Sequence, residues 1–599
     1  MPRHRASASL VIAMLAVACR GADSTGRSAT GPRAPAGDGV AVTARGSTIG
    51  DLRTRVTSEH GLDVRVRFDD KGLHVRVAAT GPAKELGVWE LPSDPIVRLE
   101  VRGANDEVAH HAVKGRELAI EDVRGPTVVV QYDVSAPPLR PPGSETEAAS
   151  TMIEAARFRA LGAAILAMPK AFVTPAIDVE LDVDGRGTEA PIAASSFAIG
   201  KMRAMSSVTA SGAALRRAVL LAGPGGLASF DLPEGKDESA WLGYTAFDPR
   251  AVAAEIAACR TLLNEYFWKG REPYASTTIF VTDARPRGRF RVARQARGLV
   301  VALSGTELYD APLRLAVSQE LVHAWIGDRI WVGSTEPGRE PESYWFHEGV
   351  ARWVAREQLA RAGLLAPNDL ASEVNRLLAI VTTSPHASRS TTELARESTA
   401  KAAPGVVPLL VARGALFATL ADARIREISK GTRSYDDVVR TVAAEALEGR
   451  GVVAANAPHL AYASLVTEAR ARADFDEMVE KGTRTRLPDD ALGGCFEARD
   501  IAYEIRDEGF DVPASLASGV VIALDPKGVS SRAGLRDGDT LVSVDLATPS
   551  SKKTRVVVQR AGAHETITFD PTTGTRRGQS FRRKSGLSDD ACRKLALRH

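Results

Sequence analysis

The residues most able to do chemistry lie in Gln319-Glu320-Leu321-Val322-His323. They follow Leu313 to Val317, and the apolar spacing predicts a helix over 311–326. On a helix, positions 319 and 323 are one turn apart and share a face. With His at both positions such a face binds Zn2+, and the Glu between them activates the metal-bound water. Here the first position is Gln319. Its carbonyl oxygen is a neutral, hard donor, and imidazole suits zinc better. Downstream, Tyr344-Trp345-Phe346-His347-Glu348-Gly349 opens a second predicted helix over 343–363. The candidate set is therefore Glu320 as general base, with His323, Glu348 and the substituted Gln319 as metal ligands. The plainer alternative is a hydrogen-bonded cluster. Glu320 and His323 would then line a cleft, Glu348 would pair near its helix start, and His347 would be a surface or supporting residue. A rescue by His347 as the replacement ligand is opposed by its place beside Glu348, since a neighbour on a helix points about 100° away.

These stretches resemble the glycyl aminopeptidase family of bacterial zinc metallopeptidases, of gluzincin type. The resemblance rests on Gln319 to Trp325 and Trp345-Phe346-His347-Glu348-Gly349. It extends to Arg413-Gly414-Ala415-Leu416, Arg424-Ile425-Arg426 and Gly431-Thr432-Arg433-Ser434-Tyr435-Asp436-Asp437-Val438. It implies a multidomain α+β protein over residues 46–575. An N-terminal antiparallel β domain would precede a mainly helical, thermolysin-like (zincin) domain and a C-terminal PDZ β domain. It also implies a zinc aminopeptidase that removes small N-terminal residues.

Three departures oppose that activity. Gln319 replaces the leading His. The family places a Tyr, its oxyanion donor, shortly before a Lys-Gly pair. The matching stretch is Leu410-Val411-Ala412-Arg413-Gly414, where neither Leu410 nor Val411 can donate. The family's Gly-Leu-Glu-His segment, on the strand edging the cleft, holds the substrate N-terminus. Here it reads Gly298-Leu299-Val300-Val301. One lost oxyanion donor costs on the order of 100- to 1000-fold in rate. Metal, transition state and substrate anchor are affected together. The expected protein is a catalytically impaired metallopeptidase relative that holds zinc weakly or not at all and binds peptides or proteins. The alternative is an active zinc aminopeptidase with an altered metal site.

Asp525-Pro526-Lys527-Gly528-Val529-Ser530-Ser531-Arg532-Ala533-Gly534-Leu535-Arg536-Asp537-Gly538-Asp539 resembles the bacterial PDZ signature. Such domains capture extended peptides or protein C-termini by strand addition. Strands are expected at 519–524, 540–544, 554–558 and 566–569, the last two forming a hairpin around Ala561-Gly562-Ala563.

The remaining chain sets the context. Its 599 residues exceed one core, and 44% hydrophobic with 25% charged residues is ordinary for a globular protein. Basic and acidic residues number 77 and 74, a net charge of +3, which gives no nucleic-acid-binding signature. Arg3, His4 and Arg5 precede a short apolar run, Leu10 to Val17, that ends in Ala16-Val17-Ala18-Cys19. This predicts an export signal over 1–19, with Cys19 as the lipidated residue and a flexible linker over 20–45. Membrane attachment would be through the lipid alone, and the location periplasmic or at the outer membrane. No later stretch reads as long and apolar enough to span a bilayer. Period-two runs such as Leu62 to Phe68 and Leu73 to Val77 place a β domain over 46–215. Helical spacing then marks the zincin-like domain over 216–488, with helices at 251–266, 369–381, 405–429 and 435–447. Residues 150–170 read as helical or mixed. The PDZ domain is expected over 489–575 and a solvated basic tail over 576–599. In an oxidising compartment Cys495 and Cys592, which bracket the PDZ segment, could form a disulfide. Cys259 reads as a buried apolar residue.

Overall fold

The structure is a computed structural model. It describes residues 60–136, 151–185, 191–233, 235–243, 246–268, 276–283, 287–288, 290–295, 297–400, 405–449, 451–547 and 551–596. The expected export signal, Cys19 and the linker lie outside the described residues, as does the start of the first β domain.

Alternation drives the first layer. Gly61–Asp69 and Thr127–Val134 bury every second residue, and Leu62, Val64, Val66 and Phe68 all face the core. Six strands form one sheet in the order Arg203–Ser211, Ala176–Asp184, Gly61–Asp69, Gly72–Thr80, Thr127–Val134, Ile96–Arg102. One pair breaks the expected antiparallel pattern: Gly61–Asp69 runs parallel to Ala176–Asp184. Residues 150–170, expected helical or mixed, hold strands Met152–Glu154 and Arg157–Leu161 and one short helical turn. Arg157–Leu161 pairs with Val219–Leu232, so sheet pairing overrides local helix preference.

The expected boundary at 215/216 falls just before a strand shared by two groups. Val219–Leu232 pairs in its first half with Pro191–Ser195 and Arg157–Leu161, and in its second half with β1 (Gly235–Leu242). The sheet continues through β2 (Ser276–Asp283) to β4 (Gly298–Ser304), and ends at β3 (Arg291–Gln295). β1, β2 and β4 are parallel, while β3 is the antiparallel edge strand. The segment expected to edge the cleft, Gly298 to Val301, is therefore an inner strand, with Val300 and Val301 buried.

The helices fall where the periodicity placed them. They are α1 (Pro249–Trp268), α2 (Ala311–Val322), α3 (Ala351–Arg361), α4 (Pro367–Thr383), α6 (Val406–Ser429) and α7 (Tyr435–Gly449), while α5 (Thr391–Ala400) is a helix that the spacing did not mark. α6 is long and apolar enough by composition to cross a membrane, which the sequence reading did not register. Most of it is buried in the helical core, so it acts as a central packing helix.

The C-terminal region departs most from expectation. β5 (Phe496–Arg506) pairs along its length with β9 (Thr572–Arg583), and β6 (Thr540–Asp545), β7 (Thr554–Arg560) and β8 (Ala563–Phe569) form a separate small sheet. β7 and β8 form the expected hairpin, turning through Ala561 and Gly562, both at positive φ. The strand expected at 519–524 is reduced to a single bridge between Val520 and Thr540. The expected solvated tail is folded. β9 docks on α4, where Asn375 exchanges two hydrogen bonds with the Phe581 backbone, and α8 (Asp589–Ala596) follows. Cys592 on α8 is disulfide-bonded to Cys495, with Cα atoms 5.0 Å apart.

Candidate active site

α2 starts at Asp310, whose side chain caps Leu313 N–H, and it delivers Gln319 and His323 to one face. The other wall is a wide helical turn, Trp345–Val350, that runs into α3. Gly349 and Gly414 let this wall approach α6. A Cβ on Gly414 would lie 1.8 Å from the Trp345 carbonyl oxygen, and one on Gly349 would lie 2.7 Å from Gly414 Cα. No other residue fits either position without moving backbone.

The structure brings Gln319, His323 and Glu348 together and adds a residue the motif did not name, Arg352. All four are at most 6% exposed. Gln319 Nε2 donates to Glu348 Oε2 at 3.1 Å. Arg352 Nη1 donates to Gln319 Oε1 at 2.9 Å. Arginine has no acceptor, so it fixes the amide with its oxygen toward Arg352 and its NH2 toward Glu348. His323 Nε2 lies 3.1 Å from the same Glu348 oxygen, and its Nδ1 lies 3.1 Å from the Ile326 carbonyl. Both partners of the ring are acceptors, so a proton lies between His323 and Glu348.

Arg352 is tied in turn to Glu373 on α4, which also receives Arg376. Burial alone would raise the Glu373 carboxyl. Arg352 and Arg376 overcome this and hold it well below the usual carboxylate range. The spacing Glu348, Arg352, Arg356 puts three ionisable side chains at four-residue intervals along one helix face. That period-four pattern was the available signal for Arg352.

The other candidates settle elsewhere. Glu320 is only half-buried, one position round the helix from Gln319. His347 is buried, accepts the Val332 N–H through Nε2 at 2.9 Å and packs on Trp331 at 4.3 Å. It serves the strand Trp331–Val332 and is committed away from Glu348. Leu410 and Val411 are buried core residues of α6. From the edge strand β3, Arg294 reaches the His323 carbonyl and Asp328.

This donor set does not fit a catalytic zinc. A zinc ligand must present a lone pair, and Gln319 presents Glu348 with an N–H. A zinc-bound His is normally steadied by an acceptor behind its second nitrogen, and behind position 319 stands a guanidinium. Among the described residues, no group of three or more His, Cys, Asp or Glu could hold a metal ion.

No protein-family model matches the chain, and no curated protein matches it in sequence. Solved structures do resemble it. An aminopeptidase N family protein from Idiomarina loihiensis aligns over 90% of this chain and 100% of its own, with TM-score 0.60 and 13% identity. An M1 zinc metallopeptidase from Deinococcus radiodurans covers 73% of this chain and 96% of its own, with TM-score 0.43 and 15% identity. Legionella pneumophila aminopeptidase A covers 88% of this chain and 57% of its own, with TM-score 0.41 and 10% identity. The fold is aminopeptidase-like. At these identities the likeness is one of architecture, with an N-terminal β domain and a helical domain.

Proposed function

We propose that this chain is an exported, catalytically impaired relative of zinc aminopeptidases that binds peptides or protein C-termini in the cell envelope. The observation that carries this reading is the Gln319 amide, turned with its N–H to Glu348 and its oxygen to Arg352. The peptidase scaffold is kept while the residues at its centre satisfy one another.

Binding has two candidate places. A cavity of about 560 Å3 opens beside Trp345 and Phe475, with Arg339, Arg396, Glu342 and Glu480 among its walls. Aromatic floor and charges of both signs suit a short zwitterionic peptide. The PDZ-like unit is the second, read from Asp525 to Leu541 and supported by the β7–β8 hairpin and its own small core around Val521, Val556 and Phe569. The Cys495–Cys592 disulfide supports an oxidising compartment, in keeping with lipidation at Cys19.

The test is hydrolysis of peptides with N-terminal Gly or Ala by the purified full chain. The expected result is no turnover above buffer, unchanged in Glu320→Gln. Turnover that disappears in Glu320→Gln would establish the active-enzyme alternative. Titration calorimetry with short peptides free at both termini is expected to show binding.

A further inference from the structure

We infer that Arg352 is the resident cation of this site, so restoring the missing histidine alone cannot restore the metal. The inference rests on the reading of the site as metal-free, but it concerns a different residue and a different readout.

Arg352 lies one turn beyond Glu348 on the same helix face, and its Nη1 contacts Gln319 Oε1 directly. Its charge is held in place from behind, because Glu373 is buried between Arg352 and Arg376. It cannot swing into water, being 4% exposed. A histidine at position 319 would put its second ring nitrogen where the amide oxygen now meets Arg352. That N–H would face a donor. Losing such an acceptor commonly costs about 10- to 100-fold in metal affinity, before any repulsion between a guanidinium and a dication. Gln319 and Arg352 therefore form a matched pair. The amide offers Arg352 an acceptor and offers Glu348 a donor, whereas an imidazole that gives one nitrogen's lone pair to zinc keeps only an N–H on the other and has no acceptor left for Arg352.

The pair predicts an outcome that the absence of a His does not. Wild type, Gln319→His, Arg352→Gln and the double variant Gln319→His/Arg352→Gln are purified and titrated with Zn2+, and metal content is measured after dialysis. Gln in place of Arg352 is neutral and brings a carbonyl acceptor for the new ring. Wild type and both single variants are expected to retain no stoichiometric zinc. The double variant is expected to retain it, with affinity at least about 100-fold above Gln319→His. Stoichiometric zinc in Gln319→His alone would overturn the proposal. So would a folded double variant, judged by circular dichroism and melting, that binds no better than the single. Should the double variant not fold, Gln319→His/Arg352→Lys decides. It keeps a cation and is expected to stay zinc-free, and zinc uptake by it would overturn the role of the charge. Aminopeptidase activity in wild type would instead contradict the proposed function and leave these comparisons readable.

Discussion

Arg352 and Arg413 are both buried guanidiniums, carried by α3 and α6, helices whose neighbourhood is closed at Gly349 and Gly414. Their partners differ in kind. Arg352 is answered by the Glu373 carboxylate through Nε and donates from Nη1 to Gln319. Arg413 is answered by neutral groups: the carbonyls of Ala387, Arg389 and Val479 and the Thr391 hydroxyl. Burial pushes Arg413 down to about 10, partly offset by Glu480, so it still carries its charge at neutral pH. Gly482 closes over it, since a Cβ there would meet the guanidinium at 2.0 Å. Arg413 is a clamp that ties two loops to α6. Arg352 is half of an ion pair that reaches into the place where related chemistry would need a metal.

The comparison can be broken at several points. The largest effect is expected from Arg352→Met, which leaves Glu373 buried with Arg376 alone. Removing one partner of a buried pair costs about 3–5 kcal/mol, read by urea unfolding followed through tryptophan fluorescence. Arg413→Met leaves the Ala387 and Arg389 carbonyls without their donor, while Thr391 still donates to Val479, and about 2–3 kcal/mol is expected, since hydrogen bonds to a charged group are worth about 1.5–3 kcal/mol. Equal losses in the two variants would remove the distinction drawn above.

Acid sharpens the contrast further. The Glu373 carboxyl is lower in the folded than in the unfolded chain. Its stabilisation is therefore present above the unfolded value, near 4.5, and is lost as pH falls below it toward the folded value. Wild type and Arg413→Met are expected to lose stability between pH 5 and 3 at up to about 1.4 kcal/mol per pH unit from this group. Arg352→Met is expected to show a flatter acid limb. A slope unchanged by Arg352→Met would contradict the pairing. The smallest effect belongs to Glu320→Gln, a half-buried position where no change beyond about 0.5 kcal/mol in stability is expected.

Much of this was legible in the chain. α2, α4, α6 and α7 announce themselves by apolar residues at three- and four-residue spacing, and Leu62 to Phe68 announces a strand by alternation. Cys495 and Cys592 bracket the PDZ-like segment, which suggested a partnership that the structure contains. Three features stayed hidden for physical reasons. Arg352 went unnamed, because only the approach of α2 and α4 makes its face interior. Thr572–Arg583 carries basic residues that read as solvated, yet between its two Arg pairs it buries Gln579 and Phe581. Gly519 to Leu524 is apolar and β-prone, but Ala523 turns to positive φ and the run ends as one bridge.

The central claim is that Gln319 and Arg352 fill the place of a metal ligand set. The most direct measurement is the zinc content of the native full-length protein, expressed with zinc and dialysed against zinc-free buffer. The account predicts zinc far below one atom per chain. Zinc at one atom per chain, lost in a His323→Ala variant that remains folded, would contradict it.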